Sequence, residues 1–227
     1  MEYVIGADEA GRGCVLGSLV MTAFAVEEKK EHALKLAGAR DSKELTPQKR
    51  ESIRKELETL GEHRTTHITA GQINDAMGSK VSLNELEARR LAILLADFAK
   101  EIEARGDKVK TIYVDSPDPI PIKYEKRIRA VAPSLAKIKI VSDNKSENKY
   151  PCVAAASIVA KTTRDFELEK IKKIFGEDFG TGYTHDKVTI DFVKRHLHDA
   201  KLEPFLRIHW KTVKNMQTVQ VDLKKFI

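Results

Sequence analysis

The sequence predicts an α/β fold: a mixed five-stranded sheet flanked by helices, with a helical C-terminal appendage. The first observation behind this is the order of predicted elements, which is three strands, helix, strand, helix, strand, helix. The second is that the last two strands follow helices long enough to act as crossovers, which makes those strands parallel. The first three strands are close enough for an antiparallel meander, into which residues 27–62 are inserted.

Short runs of apolar and β-branched residues predict the strands. They cover residues 3–8, 17–26, 63–69, 111–114 and 136–141. The first and fourth runs are of the buried type, and they lead into Asp8 and Asp115. If these two strands are adjacent and parallel, both carboxylates lie at the same edge of the sheet.

Start signals and apolar periodicity predict the helices. Thr46 followed by Pro47 begins one helix, and Ser82 with Glu85 forms a capping box that begins the clearest one. Pro151 begins a second long helix. The predicted helices cover residues 30–38, 46–60, 82–105, 123–131 and 151–175, with two more in the remainder.

Asp8, Glu9 and Asp115 are candidate metal ligands, although each alone could be an ordinary exposed strand-end carboxylate. Carboxylates held close together repel unless a cation lies between them, and Mg²⁺ or Mn²⁺ prefers such oxygen ligands. A paired-metal site of this kind carries out in-line phosphoryl displacement. Neighbouring strand residues point to opposite faces, so we expect Glu9 to join the site only if the strand ends or bulges, as Gly11 and Gly13 allow.

Charge and hydropathy limit the class of partner. The net charge is +6, and residues 186–227 supply four of that excess, with nine basic against five acidic residues. Such a segment is typical of a surface that lies against phosphates, although a solvated surface has the same pattern. No apolar run approaches the roughly 18 residues of a membrane span, and no signal-peptide pattern is present. We therefore expect a cytoplasmic protein that does not bind membranes and, since no dimerisation pattern is present, a monomer.

Five sequence blocks occur in the order typical of one enzyme family. They are DEAGRG at 8–13, DSK at 41–43, YVDSP at 113–117, ENKYPCVAAASIVAKTTRD at 147–165 and GTGY at 180–183. Together they resemble type 2 ribonuclease H (ribonuclease HII) of the archaeal style. The resemblance implies a ribonuclease H-like fold, hydrolysis of RNA in RNA–DNA hybrids and incision 5′ of single ribonucleotides in duplex DNA. Water and two divalent ions, Mg²⁺ or Mn²⁺, would leave 3′-hydroxyl and 5′-phosphate ends, as ribonucleotide excision repair and DNA replication require.

The resemblance assigns the metal ligands. Asp8, Glu9 and Asp115 match three of the family's four carboxylates. The fourth position falls on Glu147, where the family usually has aspartate, so this chain departs from the pattern. Asp143, four residues upstream, is the competing candidate. Glu147 is preferred because its register with the following alanine run needs no gap.

The resemblance also assigns substrate contacts: Gly11, Arg12, Gly13, Ser42, Lys43, Lys161 and Tyr183. The Gly-Arg-Gly turn reads the 2′-hydroxyl through backbone groups, and this hydroxyl is the local mark that distinguishes RNA from DNA. Tyr183 stacks on the sugar of the following deoxynucleotide. Ser42 and Lys43 contact phosphates, which fixes register without reading sequence. Lys161 lies near the substrate, whereas Asp165 pairs or caps locally.

The last eight residues have the spacing of a peptide that binds a sliding clamp. In a helical turn, Leu223 and Phe226 would lie on one side as apolar anchors, accompanied by Gln220 and Ile227. A disordered or self-packed tail is the alternative. We therefore divide the chain into a catalytic domain, residues 1–184, and a basic helical C-terminal segment, residues 185–227.

Two other functions remain open from the sequence. A junction resolvase of the same fold would cut all-DNA substrates without needing a ribonucleotide. A clamp-tethered hybrid-binding module, with catalysis silenced at Glu147, would bind hybrids without cutting them. Cleavage of a DNA duplex that contains one ribonucleotide separates all three.

Overall fold

A computed structural model describes residues 1–40, 42 and 45–224, with side chains as far as residue 217. Five strands form one sheet in the order β3-β2-β1-β4-β5. They are β1 (Glu2–Ala10), β2 (Leu19–Glu27), β3 (Glu62–Ile68), β4 (Lys108–Asp115) and β5 (Lys139–Asp143). Strands β1 to β3 are antiparallel neighbours, while β4 pairs parallel with both β1 and β5. The predicted mixed sheet is therefore confirmed.

Helices cover both faces of the sheet. They are α1 (Glu31–Leu36), α2 (Pro47–Leu60), α3 (Ala70–Gly78), α4 (Leu83–Ala104), α5 (Pro121–Val131), α6 (Pro151–Phe175), α7 (Lys187–His196) and α8 (Lys211–Lys224). The sequence prediction missed α3, which has only nine residues, two of them glycine. It also placed residues 136–138 in the last strand, whereas a short 3₁₀ helix, Pro133–Lys137, precedes β5.

Two apolar layers hold the sheet between the helices. Ile5 and Ile112 pack towards α4 and α5, while Val4 packs against α6 on the opposite face. At Gly6 the backbone of β1 lies directly against α6, because a Cβ there would come within 2.1 Å of the Cys152 carbonyl carbon. Only glycine permits this approach, and it fixes the distance between β1 and α6.

The C-terminal segment packs against the chain that follows β1. Val15 and Leu16 lie in a third apolar cluster with side chains of α6 and α7. Leu16 and Leu206 form an isolated antiparallel bridge, and the Gly17 N–H donates to the Phe205 carbonyl oxygen at 2.9 Å. Among the described residues, no helix is long and apolar enough to cross a membrane.

Candidate active site

Asp8 and Glu9 lie inside β1 rather than beyond its end. The parallel ladder with β4 stops at the Ala7–Val114 pair, but the antiparallel ladder with β2 continues to Ala10. The expectation that Glu9 needs a strand end is therefore wrong. Because β1 extends past the end of β4, side chains from both faces of β1 reach the space that β4 leaves open.

One cavity of about 220 Å³ brings the predicted residues together. It is lined by Asp8, Glu9, Ala10, Gly11, Arg12, Gly13, Ser42, Asp115, Glu147, Ser157, Lys161 and Tyr183. Ten of the eleven predicted ligand and substrate residues are in this list. The eleventh, Lys43, lies outside the described residues, as do Phe226, Ile227 and the side chains of Gln220 and Leu223.

The carboxylates of the cavity repel one another. Burial, then the neighbouring carboxylates of Glu9 and Asp115, raise the pKa of Asp8 well above its usual range. Burial, then Glu87, Asp115 and Glu147, raise the pKa of Glu9 to about 8, against the opposing effect of Arg12. Ionised carboxylates packed this closely require a cation between them, since charge that is removed from water needs a partner.

Glu147 and Asp143 occupy different environments. Glu147 lies in a short 3₁₀ helix, Ser146–Asn148, is 8% exposed and lines the cavity. The Ser146 N–H donates to Asp115 Oδ1 at 2.7 Å, which fixes this helix against the end of β4. Asp143 instead forms an ion pair with Lys149, accepts from the Asn144 N–H at 2.8 Å and does not line the cavity.

The chemistry of this donor set fits divalent ions. Carboxylate oxygens are the ligands that Mg²⁺ and Mn²⁺ prefer, and a bound cation would reverse the repulsion that raises the pKa values of Asp8 and Glu9. In the part of the chain that the structure describes, no three acidic, histidine or cysteine side chains already stand close enough to hold an ion. Side-chain rotation towards the cavity centre would be part of ion binding.

The glycine turn, residues 11–13, follows the two acids directly. Gly11 has a φ of +90°, and a Cβ there would meet the Ser18 carbonyl oxygen at 2.9 Å, so this position requires glycine. The Arg12 side chain is held by α4. Its Nη2 donates to Asn84 Oδ1 at 2.5 Å, and its Nη1 lies 3.3 Å from Glu87 Oε2. The guanidinium is thus committed to the protein, which leaves the backbone of the turn to contact a ligand.

Tyr183 also lines the cavity, and two basic groups lie near its ring. The Arg164 guanidinium carbon is 4.8 Å from its ring centroid, and Lys161 Nζ is 5.7 Å away. The exposed ring of His185 stacks on the Tyr183 ring, with the two ring centroids 5.3 Å apart. Burial raises the pKa of the Tyr183 hydroxyl to about 12, so the side chain stays neutral.

Ser42 and Lys161 line the cavity and belong to two polar networks. Ser42 Oγ and Ser157 Oγ are 3.0 Å apart, and Ser157 also hydrogen-bonds Asp8. Asp165 accepts from Lys161 Nζ at 2.7 Å and from Arg50 Nη2 at 2.9 Å. Asp165 therefore orients Lys161 and affects the cavity through that residue.

Sequence reasoning missed several residues that support the site. Ser157 and Arg164 belong to the 147–165 block, and their place in that motif was an available signal. Arg50, Glu87 and Arg207 had no such signal, because they come from remote elements and their buried side chains contact other residues of the site. Arg164 and Arg207 are the largest fully buried side chains of the described residues.

The loop that carries Tyr183 depends on an aspartate at the start of α7. Asp186 accepts from the Thr181 N–H and Oγ1, both at 2.7 Å, and from the Val188 N–H at 3.0 Å. These bonds, that from the Thr181 backbone first, lower the pKa of Asp186 from 3.8 to about 2. Because the folded-state pKa is the lower one, the carboxylate stabilises the fold above pH 3.8, and this contribution is lost as the pH falls through about 2.

We expect Asp186→Ala to lower the melting temperature at pH 7 by about 2 to 4 °C, the effect of losing a helix cap in a chain of this length. The difference from wild type should narrow as the pH falls below 3.8. Thermal unfolding followed by circular dichroism across a pH series measures it. Asp191→Ala, on the same helix, is the control, and an equal loss in both variants would contradict the capping role.

Comparison with known proteins identifies the family of this chain. The family model described as Ribonuclease HII matches residues 5–213. The chain belongs to the ribonuclease HII family. It is 39% identical over 222 residues to the ribonuclease HII of Methanocaldococcus jannaschii, with 94% of each chain covered. Enzymes of this family are metal-dependent nucleases, and the chain is accordingly a nuclease, a hydrolase of the ribonuclease H type.

Solved structures of the family share the fold. The chain superposes on the crystal structure of the ribonuclease H2 from Pyrococcus horikoshii with a TM-score of 0.80 and 33% identity, covering 96% of this chain and 98% of that one. It matches ribonuclease HII in the structure of the PCNA:RNase HII complex from Archaeoglobus fulgidus with a TM-score of 0.79 and 32% identity, covering 94% and 96%. The ribonuclease H-like fold that the resemblance implied is confirmed.

Proposed function

We propose that this chain cuts the RNA strand of RNA–DNA hybrids and also cuts duplex DNA on the 5′ side of a single embedded ribonucleotide. One observation carries the proposal: four carboxylates, the glycine turn and Tyr183 line the same cavity. Carboxylates of this kind hold the metal ions that help water to hydrolyse a phosphodiester. The turn and the tyrosine offer contacts to a sugar. Their proximity lets the presence of one 2′-hydroxyl decide whether hydrolysis occurs.

Each group has a distinct task in this proposal. The backbone of residues 11–13 donates hydrogen bonds to the 2′-hydroxyl and accepts hydrogen bonds from it. The neutral ring of Tyr183 stacks on the next deoxyribose. Lys161, oriented by Asp165, offers a positive charge to the phosphate. Ser42 and Lys43 contact the phosphate backbone, where they fix register without reading sequence.

Asp8, Glu9, Asp115 and Glu147 would hold two divalent ions, Mg²⁺ or Mn²⁺. When bound, the ions supply the Lewis acidity that activates water and stabilises the leaving oxygen. The four carboxylates would fix the positions of these ions relative to the phosphate. The departing 3′-oxygen and the attacked phosphorus give 3′-hydroxyl and 5′-phosphate ends, which suits ribonucleotide excision repair.

The test uses three duplexes of one sequence: DNA with one ribonucleotide, all DNA, and all RNA. Each is incubated with Mg²⁺ or Mn²⁺, and the products are mapped to the nucleotide. A cut immediately 5′ of the ribonucleotide and no cut in the two controls is the expected result. Equal cleavage of all-DNA duplex would favour a junction-resolving nuclease instead.

We also propose that the C-terminal tail binds a sliding clamp. The ribonuclease HII of Archaeoglobus fulgidus was solved with PCNA, and this chain has clamp-peptide spacing at Gln220, Leu223, Phe226 and Ile227. The backbone of α8 runs to Lys224. A helical turn there is compatible with apolar anchors entering a groove on the clamp. Monomeric ribonuclease tethered in this way would act during DNA replication.

The double variant Leu223→Ala/Phe226→Ala should weaken clamp binding at least about a hundredfold, because central apolar anchors contribute most of such an affinity. Calorimetry with a purified archaeal sliding clamp measures it. Cleavage of a short ribonucleotide duplex without the clamp reports whether the variant is folded. Clamp affinity equal to that of the wild type would exclude Leu223 and Phe226 as clamp-binding anchors.

A further inference from the structure

We propose that Arg207 is a positioning residue for the glycine turn, so that selectivity for a ribonucleotide depends on the C-terminal segment. The inference rests on the proposed function, in which the backbone of residues 11–13 reads the 2′-hydroxyl. Arg207 stands 195 positions along the chain from Arg12, yet its side chain is fully buried against the loop that contains Arg12.

The Arg207 guanidinium binds backbone at both ends of the loop formed by residues 12–17. Its Nη1 donates to the Arg12 carbonyl oxygen at 3.1 Å. Its Nε and Nη2 donate to the Gly17 carbonyl oxygen at 3.1 and 3.0 Å. The Arg207 N–H donates to the Val15 carbonyl oxygen at 3.0 Å, between these two ends. The planar fork of arginine makes these side-chain bonds together, which the single ammonium of lysine cannot do.

A buried acidic residue lies near both arginines: burial raises the pKa of Glu87 to about 7, and the charges of Arg12 and Arg207 oppose that shift. Glu87 is fully buried on α4 and forms the ion pair with Arg12. Its charge favours the ionised form of Arg207, whose pKa burial lowers to about 10, so the guanidinium stays charged at neutral pH. Arg12 is thus held at two points: Asn84 and Glu87 of α4 hold its side chain, and Arg207 of the C-terminal segment holds its carbonyl oxygen.

These contacts hold the turn where it lies beyond the end of the sheet. The ladder between β1 and β2 ends at Ala10, so residues 11–13 have no strand partner. Hydrogen bonds to a hydroxyl weaken steeply when distance or angle changes. A shift of the turn would therefore impair the contact to the 2′-hydroxyl, while Asp8 and Glu9 keep their places in β1. A displaced turn should therefore lower the selectivity for a ribonucleotide more than it lowers the rate of hydrolysis.

The experiment compares two duplexes that differ in one sugar, a ribonucleotide or a 2′-deoxy-2′-fluoro nucleotide 3′ of the cut. The readout is the ratio of kcat/KM values for the two. In Arg207→Lys we expect the ratio to fall about tenfold relative to wild type, the effect of lost hydrogen bonds to one hydroxyl. Misfolded protein lowers both rates equally, so a purely structural role leaves the ratio unchanged.

Two further variants make the test specific. Glu87→Gln removes the acidic partner of the Arg12 side chain and leaves the Arg207 bonds to the carbonyls in place, and it should lower the ratio in the same direction. Arg50→Lys is the matched control. Arg50 is also buried and donates to two carbonyls, those of Ser42 at 3.0 Å and Leu45 at 2.5 Å, but it does not contact the turn. Its variant should keep the wild-type ratio.

The outcomes separate the two proposals. A wild-type enzyme that cuts both sugars equally well would overturn the proposed function. Strong wild-type selectivity, with an unchanged ratio in Arg207→Lys, would overturn the positioning role of Arg207 and leave the proposed function intact. If Arg207→Lys fails to fold, Arg207→Gln takes its place, and an unchanged ratio in that variant overturns the positioning role instead.

Discussion

Asp8→Asn and Asp115→Asn are each expected to lower the rate of strand cleavage by about three orders of magnitude or more, with duplex binding retained. Asparagine has the shape of aspartate and still accepts a hydrogen bond, but it lacks the charge that holds a divalent ion. Single-turnover cleavage of the ribonucleotide duplex measures the rate, and fluorescence anisotropy measures binding. Near-wild-type turnover in either variant would exclude that carboxylate from metal-dependent hydrolysis.

Unfolding of the metal-free protein is the control for this prediction. The raised pKa of Asp8 means that its ionised form is disfavoured in the folded state. Removing the charge should therefore leave the melting temperature at neutral pH equal to or above that of the wild type, as is common for residues kept for function. Added Mn²⁺ should stabilise the wild type more than the variant, because only the wild type retains every ligand.

Glu147→Gln is expected to lower cleavage at least about a hundredfold, while Asp143→Asn has little effect. Both are acidic residues near the end of β5, but they differ in what surrounds them. Glu147 lines the cavity and acts on Glu9, whereas Asp143 is paired with Lys149 outside it. Titration of Mn²⁺ by calorimetry would show the same order of effects on ion affinity.

Asp143→Asn is also the geometrical control, because Asp143 is the ladder partner of Asp115 at the end of the neighbouring strand. It shares the sheet edge and the charge of the proposed ligands, so a general loss of negative potential affects both variants. A larger loss of activity in Asp143→Asn than in Glu147→Gln would move the fourth ligand to Asp143. Glu147→Asp, which restores the residue usual in the family, should keep substantial activity.

The sheet was predictable from sequence because its strands are marked by local signals. Buried apolar runs define β1 and β4, and the helical crossovers make β4 and β5 parallel to β1. The end of β1 was not predictable, since Asp8 and Glu9 look like a strand terminus when read alone. Pairing with β2 carries the strand to Ala10, and such tertiary pairing has no local signature.

The residues of the candidate site also differ in how well the sequence predicts them. The residues that line the cavity fall in short motifs, so a family resemblance finds them from the sequence. The side chains that hold them in place come from distant parts of the chain, as Arg50 does for Ser42 and Arg207 for Arg12. A buried arginine has no periodicity or spacing of its own, and its role is visible only once both of its partners are placed.

The contact at Gly6 has a consequence for how the enzyme tolerates change. The backbone of β1 touches the backbone of α6 at Gly6. Backbone atoms therefore set the separation of Asp8 from Ser157 and Lys161, and this separation depends on the type of residue only at Gly6. Substitutions among the surrounding apolar side chains, such as Val4 or Val153, can then alter the free energy of unfolding without moving the reacting groups. The sequence and the thermal stability of the enzyme can therefore change while the dimensions of its active site stay constant.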